Sequence, residues 1–354
     1  MAAALSIEAA SAVVHVQCAP AVVMVQPTAF GFNEETAADN AFMVKDESAA
    51  MSAADDAAAE HSAAAVALTA AGVQAVLLPG AGNADEAFPN NWLGFMPPSH
   101  GDSGCTAVLF PMATPSRQAE VRPELLRALA LAPILATDTL DLRQHELARA
   151  GAVLEGTGAL VLDRIARVAY CALSQRAHAK LAQAWAQHFK YTLHTFQAYS
   201  RGANGQDVPV YHTNVVLSMG AHAAVVAAEC VREEVQREAL LDALRAAGKH
   251  IVCITEQQVA QFAGNVLQLR PAGGGAPVWA MSSSAHAALQ ASGQLDELCC
   301  PPGLPAAAAS DIVHVPLPTI ERLGGGSMRC LLAEAWPGLD GDTHSKAESL
   351  GSGS

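Results

Sequence analysis

Short apolar runs recur along the chain, and stretches with apolar residues at helical spacing lie between them. AVVMV (21–25), VQAVLL (73–78), TAVLF (106–110), ARVAYCAL (166–173), VVLSM (215–219), HIVCI (250–254), PVWAMS (277–282) and IVHVPL (312–317) predict strands. VRPELLRALAL, QRAHAKLAQAWAQHF, VREEVQREALLDALRAAG, TEQQVAQFAG and AHAALQAS predict helices. The clearest covers 231–248 and stops at Gly248. An alanine-rich segment over 48–71 predicts one more, on propensity alone. Strand and helix alternating over the whole length imply an α/β protein.

The strands come in close pairs. AVLEGTGALVLDRIARVAY carries two turn signals, Gly156-Thr157-Gly158 and Arg164-Ile165-Ala166, and VYHTNVVLSMGAHAAVVAAE turns at Gly220. Hairpins followed by a helix and another strand do not suit a plain doubly wound sheet; they suit repeated ββαβ units, although no repeat is visible in the sequence itself. No Pro/Gly/Ser-rich linker divides the middle. The expected organisation is an extension over 1–20, one domain over 21–336 and a polar Gly/Ser-rich tail over 337–354, disordered by composition.

Composition narrows the class without giving an activity. The 354 residues are 51% hydrophobic and 15% charged, enough for a large core. A net charge of -14 argues against nucleic acid or an anionic membrane as partner. No run of eighteen apolar residues occurs, so no membrane span is expected. The N-terminal residues lack a basic region and carry Glu8, which fits a secretory or transit signal poorly. Eight cysteines without a CxxC pair, several in apolar runs, read as reduced thiols of a cytoplasmic protein. The histidines are scattered, no metal-ligand spacing appears, and no glycine fingerprint for a nucleotide follows a strand, so no cofactor is expected. A homo-oligomer stays open.

Five stretches carry candidate chemistry. In GGGSMRC, Cys330 follows Gly324, Gly325 and Gly326 and stands beside Arg329. Bare backbone admits a ligand, and a cation favours the thiolate. Alone, the motif also fits a buried core thiol, the commoner place for a free cysteine. In VYHTNVV, His212 and Asn214 lie two apart, so on a strand they share a face; an edge strand with a wet polar side fits as well. In LEGTG, Glu155 sits in a hairpin turn, ready to orient a histidine or merely solvated. In EAFPNNWLG, Asn90 and Asn91 stand among Phe88, Pro89 and Trp92, a pocket wall or a structured loop. FGFNEETAADNAF, with Asn33 and Asp39, is a long polar loop between aromatics, functional or plain surface. FAGN (262–265) is a glycine-containing helix exit that alone says nothing of function.

Taken together, PTAFGFNEETAADNAF, AFPNNW, LEGTGALVLDR, YHTNVVLSMG, ITEQQVAQFAGN and TIERLGGGSMRCLLAE resemble, in order and wording, the amidinotransferase superfamily of guanidino-group-modifying enzymes. Within it the chain looks most like the citrulline-utilisation hydrolases, from about Val22 to Trp336. The resemblance implies the pentein fold, five ββαβ modules around a pseudo-fivefold axis with the site in the central channel. It implies Cys330 as nucleophile, His212 as general acid and base, and Glu155 as the acid that positions His212 or the substrate. Arg176, in LSQR, matches a Ser-x-Arg carboxylate clamp, and Asn33 and Asp39 are candidates for the α-amino end.

Three departures bear on the substrate. Arginine deiminases read His-x-Asp where this chain has His212-Thr213-Asn214, they carry an aspartate where Asn91 stands, and they often read EGGD where this chain has LEGTG. Aspartates grip a cationic guanidinium; neutral amides suit an uncharged ureido group. The expected reaction is citrulline to ornithine, CO2 and ammonia through a covalent Cys330 adduct, with the Gly324–Gly326 loop, Gly325 and Gly326 included, holding the oxyanion. An arginine or dimethylarginine hydrolase is the rival of the same fold. A non-catalytic protein that binds an amino acid or another protein is the rival of another class.

Overall fold

The apolar runs become strands because the chain covers them on both faces. In the computed structural model, which describes residues 6–9, 16–48, 51–97, 104–129, 136–202 and 205–336, Ala21–Val25 and Val278–Ser282 are buried along their whole length. Such runs require partners at both edges. AVVMV, TAVLF, ARVAYCAL and PVWAMS each supply the middle strand of a three-stranded sheet. The tail expected over 337–354 lies outside the described residues.

Five three-stranded sheets occur among the described residues, and all share one pairing rule. A first strand runs antiparallel to the middle strand, and a third runs parallel to it. Four follow in chain order. Leu93–Met96, Cys105–Leu109 and Ala136–Asp141 form one; Val161–Asp163, Val168–Ala172 and Thr192–Phe196 the next. Leu217–Met219, Ala223–Val226 and His250–Cys253 form another; Leu267–Leu269, Val278–Ser282 and Asp311–Val315 the last. The fifth sheet joins the two ends of the chain. Ala21–Val25 pairs parallel with Gln74–Leu78 and antiparallel with Ala333–Ala335. The result is a mixed α/β fold of small sheets. A two-stranded ribbon, Tyr199–Arg201 with Asp207–Pro209, stands apart.

Most helices fall where the patterning puts them. Ala53–Ala70 occupies the alanine-rich segment and buries one face, including Ala57, Ala64 and Leu68. Ala179–His188, Glu234–Ala246 and Ser283–Ala291 occupy the predicted stretches. Among the described residues no helix is long and apolar enough to cross a membrane.

Two local expectations fail. Gly156–Ala159 is a helical turn, not a hairpin turn, and Thr213–Val215 is a 3-10 turn, not strand. The reason is shared. Each stands immediately before the first strand of a sheet, as do Pro89–Asn91 and Met328–Leu331. At these junctions the chain must turn into the strand while aiming a side chain elsewhere, and helical turns do both. The turn Pro89–Asn91 packs on Gly156–Ala159 and on Met328–Leu331, and Gly156–Ala159 packs on Thr213–Val215.

Candidate active site

Those turns deliver the polar side chains. Glu155 and His212 are the residues that precede Gly156–Ala159 and Thr213–Val215, and Asn91 and Cys330 lie within their own turns. His212, Asn91 and Cys330 line one narrow cavity, with Thr36, Asn40, Asp85, Phe88, Arg117 and Arg176. Its free volume is about 10 Å³, room for about one water.

His212 and Glu155 form a buried pair, Nε2 to Oε2 at 2.9 Å. The Ala113 N–H donates to the other carboxylate oxygen at 3.0 Å, and Arg176 Nη1 stands 3.8 Å from Oε2. Burial works against the Glu155 charge, but the His212 hydrogen bond and the Arg176 and Arg117 cations outweigh it and bring its pKa down to about 2. Burial is also the largest influence on His212 and lowers its pKa, with Glu155 pulling the other way. Because two fixed guanidiniums favour the carboxylate, the arrangement is an ionised Glu155 beside a neutral His212.

Close approach is built into this pair. A Cβ on Gly158 would sit 2.4 Å from Asn91 Nδ2 and 2.8 Å from His212 Nδ1. Gly158→Ala is therefore expected to displace both side chains, costing about 1–3 kcal/mol of stability and at least about tenfold in turnover. Thermal melting and steady-state rates on the same preparation check it; unchanged values in both would mean the two side chains need no such contact.

Cys330 is held among amides. Asn265 Nδ2 donates to its Sγ at 3.3 Å and Asn214 Nδ2 lies at 3.7 Å. Arg329, its neighbour in sequence, is not available to it in the way the motif suggested. That guanidinium is committed to Glu334 at 2.9 Å and to the Leu332 carbonyl at 2.8 Å.

Asn91 presents one defined end. Arg117 Nη2 donates to Asn91 Oδ1 and to the Phe88 carbonyl, both at 3.2 Å. A guanidinium has no acceptor, so the oxygen of the amide must face Arg117. Asn91 Nδ2 is left buried with no partner among the described residues.

Four expected substrate contacts change role. Gly325 does not line the cavity; it ends the helix Pro318–Gly324 in a left-handed conformation, φ 60°, and its N–H goes to the Glu321 carbonyl at 3.0 Å. It therefore cannot donate to an oxyanion, whereas Gly324 and Gly326 do border the cavity. Asn33 caps the helix Glu34–Ala37 and donates to Asp85 Oδ2 at 2.9 Å, so it orders a site residue. Asp39 lies outside the cavity and accepts from Arg176 Nε at 3.0 Å and from Nη2. Arg176 does line the cavity, yet Asp39 and the Thr36 carbonyl, at 2.8 Å, hold two of its nitrogens.

Asp85 and Asn265 join the site without a signal in the sequence. Asp85 is buried, with Oδ2 taken by Asn33 and by Thr36 at 2.9 Å and Oδ1 unpartnered among the described residues. It stands one residue before the EAFPNNWLG motif, and nothing in its own context marks it. Asn265 lay in view within FAGN but carried no signal of its own.

No curated protein matches the sequence. Among solved structures, ArgZ, an arginine dihydrolase from the ornithine-ammonia cycle in cyanobacteria, superposes with a TM-score of 0.63 at 14% identity. The match covers 90% of this chain and 41% of ArgZ, so the chain spans about two-fifths of that protein. The ArgZ N-terminal domain, solved as a variant bound to substrate, matches over 89% of this chain and 98% of its own, with TM-score 0.63 and 14% identity. A dimethylarginine dimethylaminohydrolase variant carrying an S-methyl-L-thiocitrulline adduct matches at TM-score 0.56 and 13% identity, over 88% of this chain and 98% of its own. At these identities the likeness is one of fold. The family model for eukaryotic N,N dimethylarginine dimethylhydrolase matches residues 26–336, nearly the whole described chain. The chain belongs to that family, and with it to the pentein amidinotransferase superfamily of hydrolases acting on C–N bonds.

Proposed function

We propose that the protein hydrolyses the ureido group of citrulline, releasing ornithine, CO2 and ammonia. The observation that carries the proposal is the convergence of Cys330, His212 and the Glu155 behind it on one buried cavity. The Cys330 thiolate attacks the ureido carbon and forms a tetrahedral adduct. His212, which takes up a proton as the Cys330 thiol ionises, gives that proton to the δ-nitrogen as the C–N bond breaks, leaving carbamoyl-cysteine and neutral His212. Neutral His212 then takes a proton from a water whose oxygen bonds to the carbamoyl carbon; the C–S bond breaks, Cys330 leaves as thiolate, and the carbamate released decays to CO2 and ammonia. No step calls for a cofactor.

The polarity of the amides favours citrulline. Asn91 offers a buried N–H donor, which a ureido oxygen accepts and a guanidinium, with donors only, does not. Asn214 does not line the cavity, but its Nδ2 lies 3.7 Å from Cys330 Sγ, and its Oδ1, buried without a partner among the described residues, becomes an acceptor for the ureido NH2 as the cavity widens. Asp85 Oδ1 is the natural partner of the α-ammonium, and Arg117 and Arg176 are the cations within reach of the carboxylate. With room for about one water, the cavity must widen to admit substrate. Five sheets with one pairing rule support five ββαβ modules about a pseudo-fivefold axis, and the pairing of Ala21–Val25 with Ala333–Ala335 supports one domain over 21–336. Gln17 and Cys18, in the expected extension, are already buried.

A guanidino substrate is the second reading. The family is that of dimethylarginine hydrolysis, and Asn214 Oδ1 and Asn265 Oδ1, on the two amides beside Cys330, are both buried acceptors without a partner among the described residues. Citrulline, arginine and dimethylarginine offered separately decide it. Ornithine and ammonia from citrulline support the proposal; citrulline accumulating from arginine or dimethylarginine, with no ornithine from citrulline, overturns it. No turnover of any of the three would favour the binding-protein reading.

A further inference from the structure

Five turns precede the first strands of the five sheets, and four carry Asn91, Glu155, His212 with Asn214, and Cys330. The fifth, before Leu267–Leu269, ends on Asn265. Its backbone is forced into place. Phe262 has φ 59°, a left-handed conformation rare for an aromatic residue and kept only where the surroundings impose it. A Cβ on Gly264 would lie 2.2 Å from the Val215 carbonyl oxygen, so only glycine lets the segment lie against the His212 turn. Ser218 Oγ is 2.7 Å from the carbonyls of both Gly264 and Val266, and the Asn265 N–H donates to the Phe262 carbonyl at 2.8 Å. All of this fixes one side chain that has no solvent exposure.

The orientation of that side chain is settled by chemistry. Asn265 Nδ2 meets the Asn214 backbone carbonyl at 3.0 Å and Cys330 Sγ at 3.3 Å. A backbone carbonyl only accepts, so the amide end beside it must be the nitrogen, and its second hydrogen reaches the sulfur.

We propose that Asn265 is a catalytic residue whose carboxamide N–H donates to Cys330 Sγ and stabilises the thiolate. Ionisation passes the thiol proton to His212, the base on the same cavity, and the negative sulfur keeps a hydrogen-bond donor in a site otherwise closed to solvent. The donor serves again when the thiolate is expelled after hydrolysis. The inference rests on the reading of Cys330 as nucleophile and is independent of which substrate the enzyme takes. The nearby cations are otherwise engaged: Arg329 with Glu334, Arg176 with Asp39, and Arg117 with Glu120 and Asn91. Tyr211 spends its hydroxyl on the Gly325 carbonyl, and His212 is committed to Glu155. Asn214 Nδ2, the other donor near the sulfur, stands farther off at 3.7 Å.

Alkylation of the native protein with iodoacetamide tests this without any substrate, Cys330 being identified by peptide mass and exposed Cys253 and Cys300 serving as references. The Cys330 alkylation rate near neutral pH is expected to fall about tenfold in Asn265→Leu, and further in Asn265→Asp, which sets a carboxylate against the sulfur. The pH profile of that rate should move up by about one unit or more, while the reference rates hold. A Cys330 profile unchanged in the nearly isosteric Asn265→Asp overturns the proposal, as does a wild-type Cys330 no faster than the references. If both variants lose their melting transition, the residue is structural and the proposal falls. A shifted profile with no turnover of citrulline sinks the substrate assignment and leaves Asn265 standing.

Discussion

Cys330→Ala is expected to remove turnover entirely, by roughly four orders of magnitude or more, because no other group in the cavity can form the covalent adduct. The fold should survive. Cys330 is 3% exposed and belongs to the apolar cluster that includes Phe30, Phe88 and Leu331, so the change deletes one sulfur from a packed core and costs about 1 kcal/mol. A melting curve close to wild type with no detectable product is the result to look for. The variant should also lose one alkylation site and only one. Turnover that persists in a folded Cys330→Ala would leave a direct attack by water as the only route and would remove the basis for a carbamoyl-enzyme.

Glu155→Gln is the second large effect, expected at about 10²- to 10⁴-fold in turnover. The shape is kept, but the charge opposite His212 Nε2 disappears. Burial already lowers the pKa of His212, and Glu155 is what opposes that. Removing the carboxylate therefore pulls the imidazole further down, and its protonated form, needed to release the δ-nitrogen, persists only at lower pH. The residual activity should accordingly have its optimum shifted to acid. Stability gives an independent reading. The pKa of Glu155 falls from an ordinary 4.5 to about 2 on folding, so its ionisation stabilises the fold above about pH 4.5 and that contribution is lost as pH falls towards 2. The gap between wild type and Glu155→Gln in urea denaturation should narrow over that interval. A gap that stays constant from neutral pH to pH 3 would mean Glu155 is not held ionised by its surroundings.

The shorter strands show where sequence patterning stops. A middle strand such as Val278–Ser282 is five apolar-to-small residues in a row and is unmistakable. Val161–Asp163, Leu267–Leu269 and Ala333–Ala335 have three residues each, too few to establish a period of two, and their identity comes from the neighbour they pair with. The same limit explains His212 and Asn214. Their spacing suggested one face of a strand; a 3-10 turn brings them to the same site by another route. Gly156 meets a related limit: its left-handed φ of 47° fits a hairpin turn and the start of a helical turn alike, and the contact with the Asn90 and Asn91 carbonyls that decides between them is sixty-odd positions away in the chain.

The sequence by itself determined the α/β alternation, the helices and the family. It also singled out Cys330, His212, Glu155 and Asn91, since reactive side chains in ordered motifs are local signals. Only the tertiary structure decided what each group does to the others: that Arg329 turns to Glu334, that Asp39 holds Arg176 and Asn33 holds Asp85, that Arg117 fixes the polarity of Asn91, and that Asn265 reaches the sulfur. The physical reason is distance along the chain. Arg117 and Asn91 lie 26 residues apart, Asn33 and Asp85 52, Asn265 and Cys330 65, and Arg176 and Asp39 137, and no local pattern of apolar and polar positions encodes which of two ends an amide will turn towards a partner that arrives from another sheet.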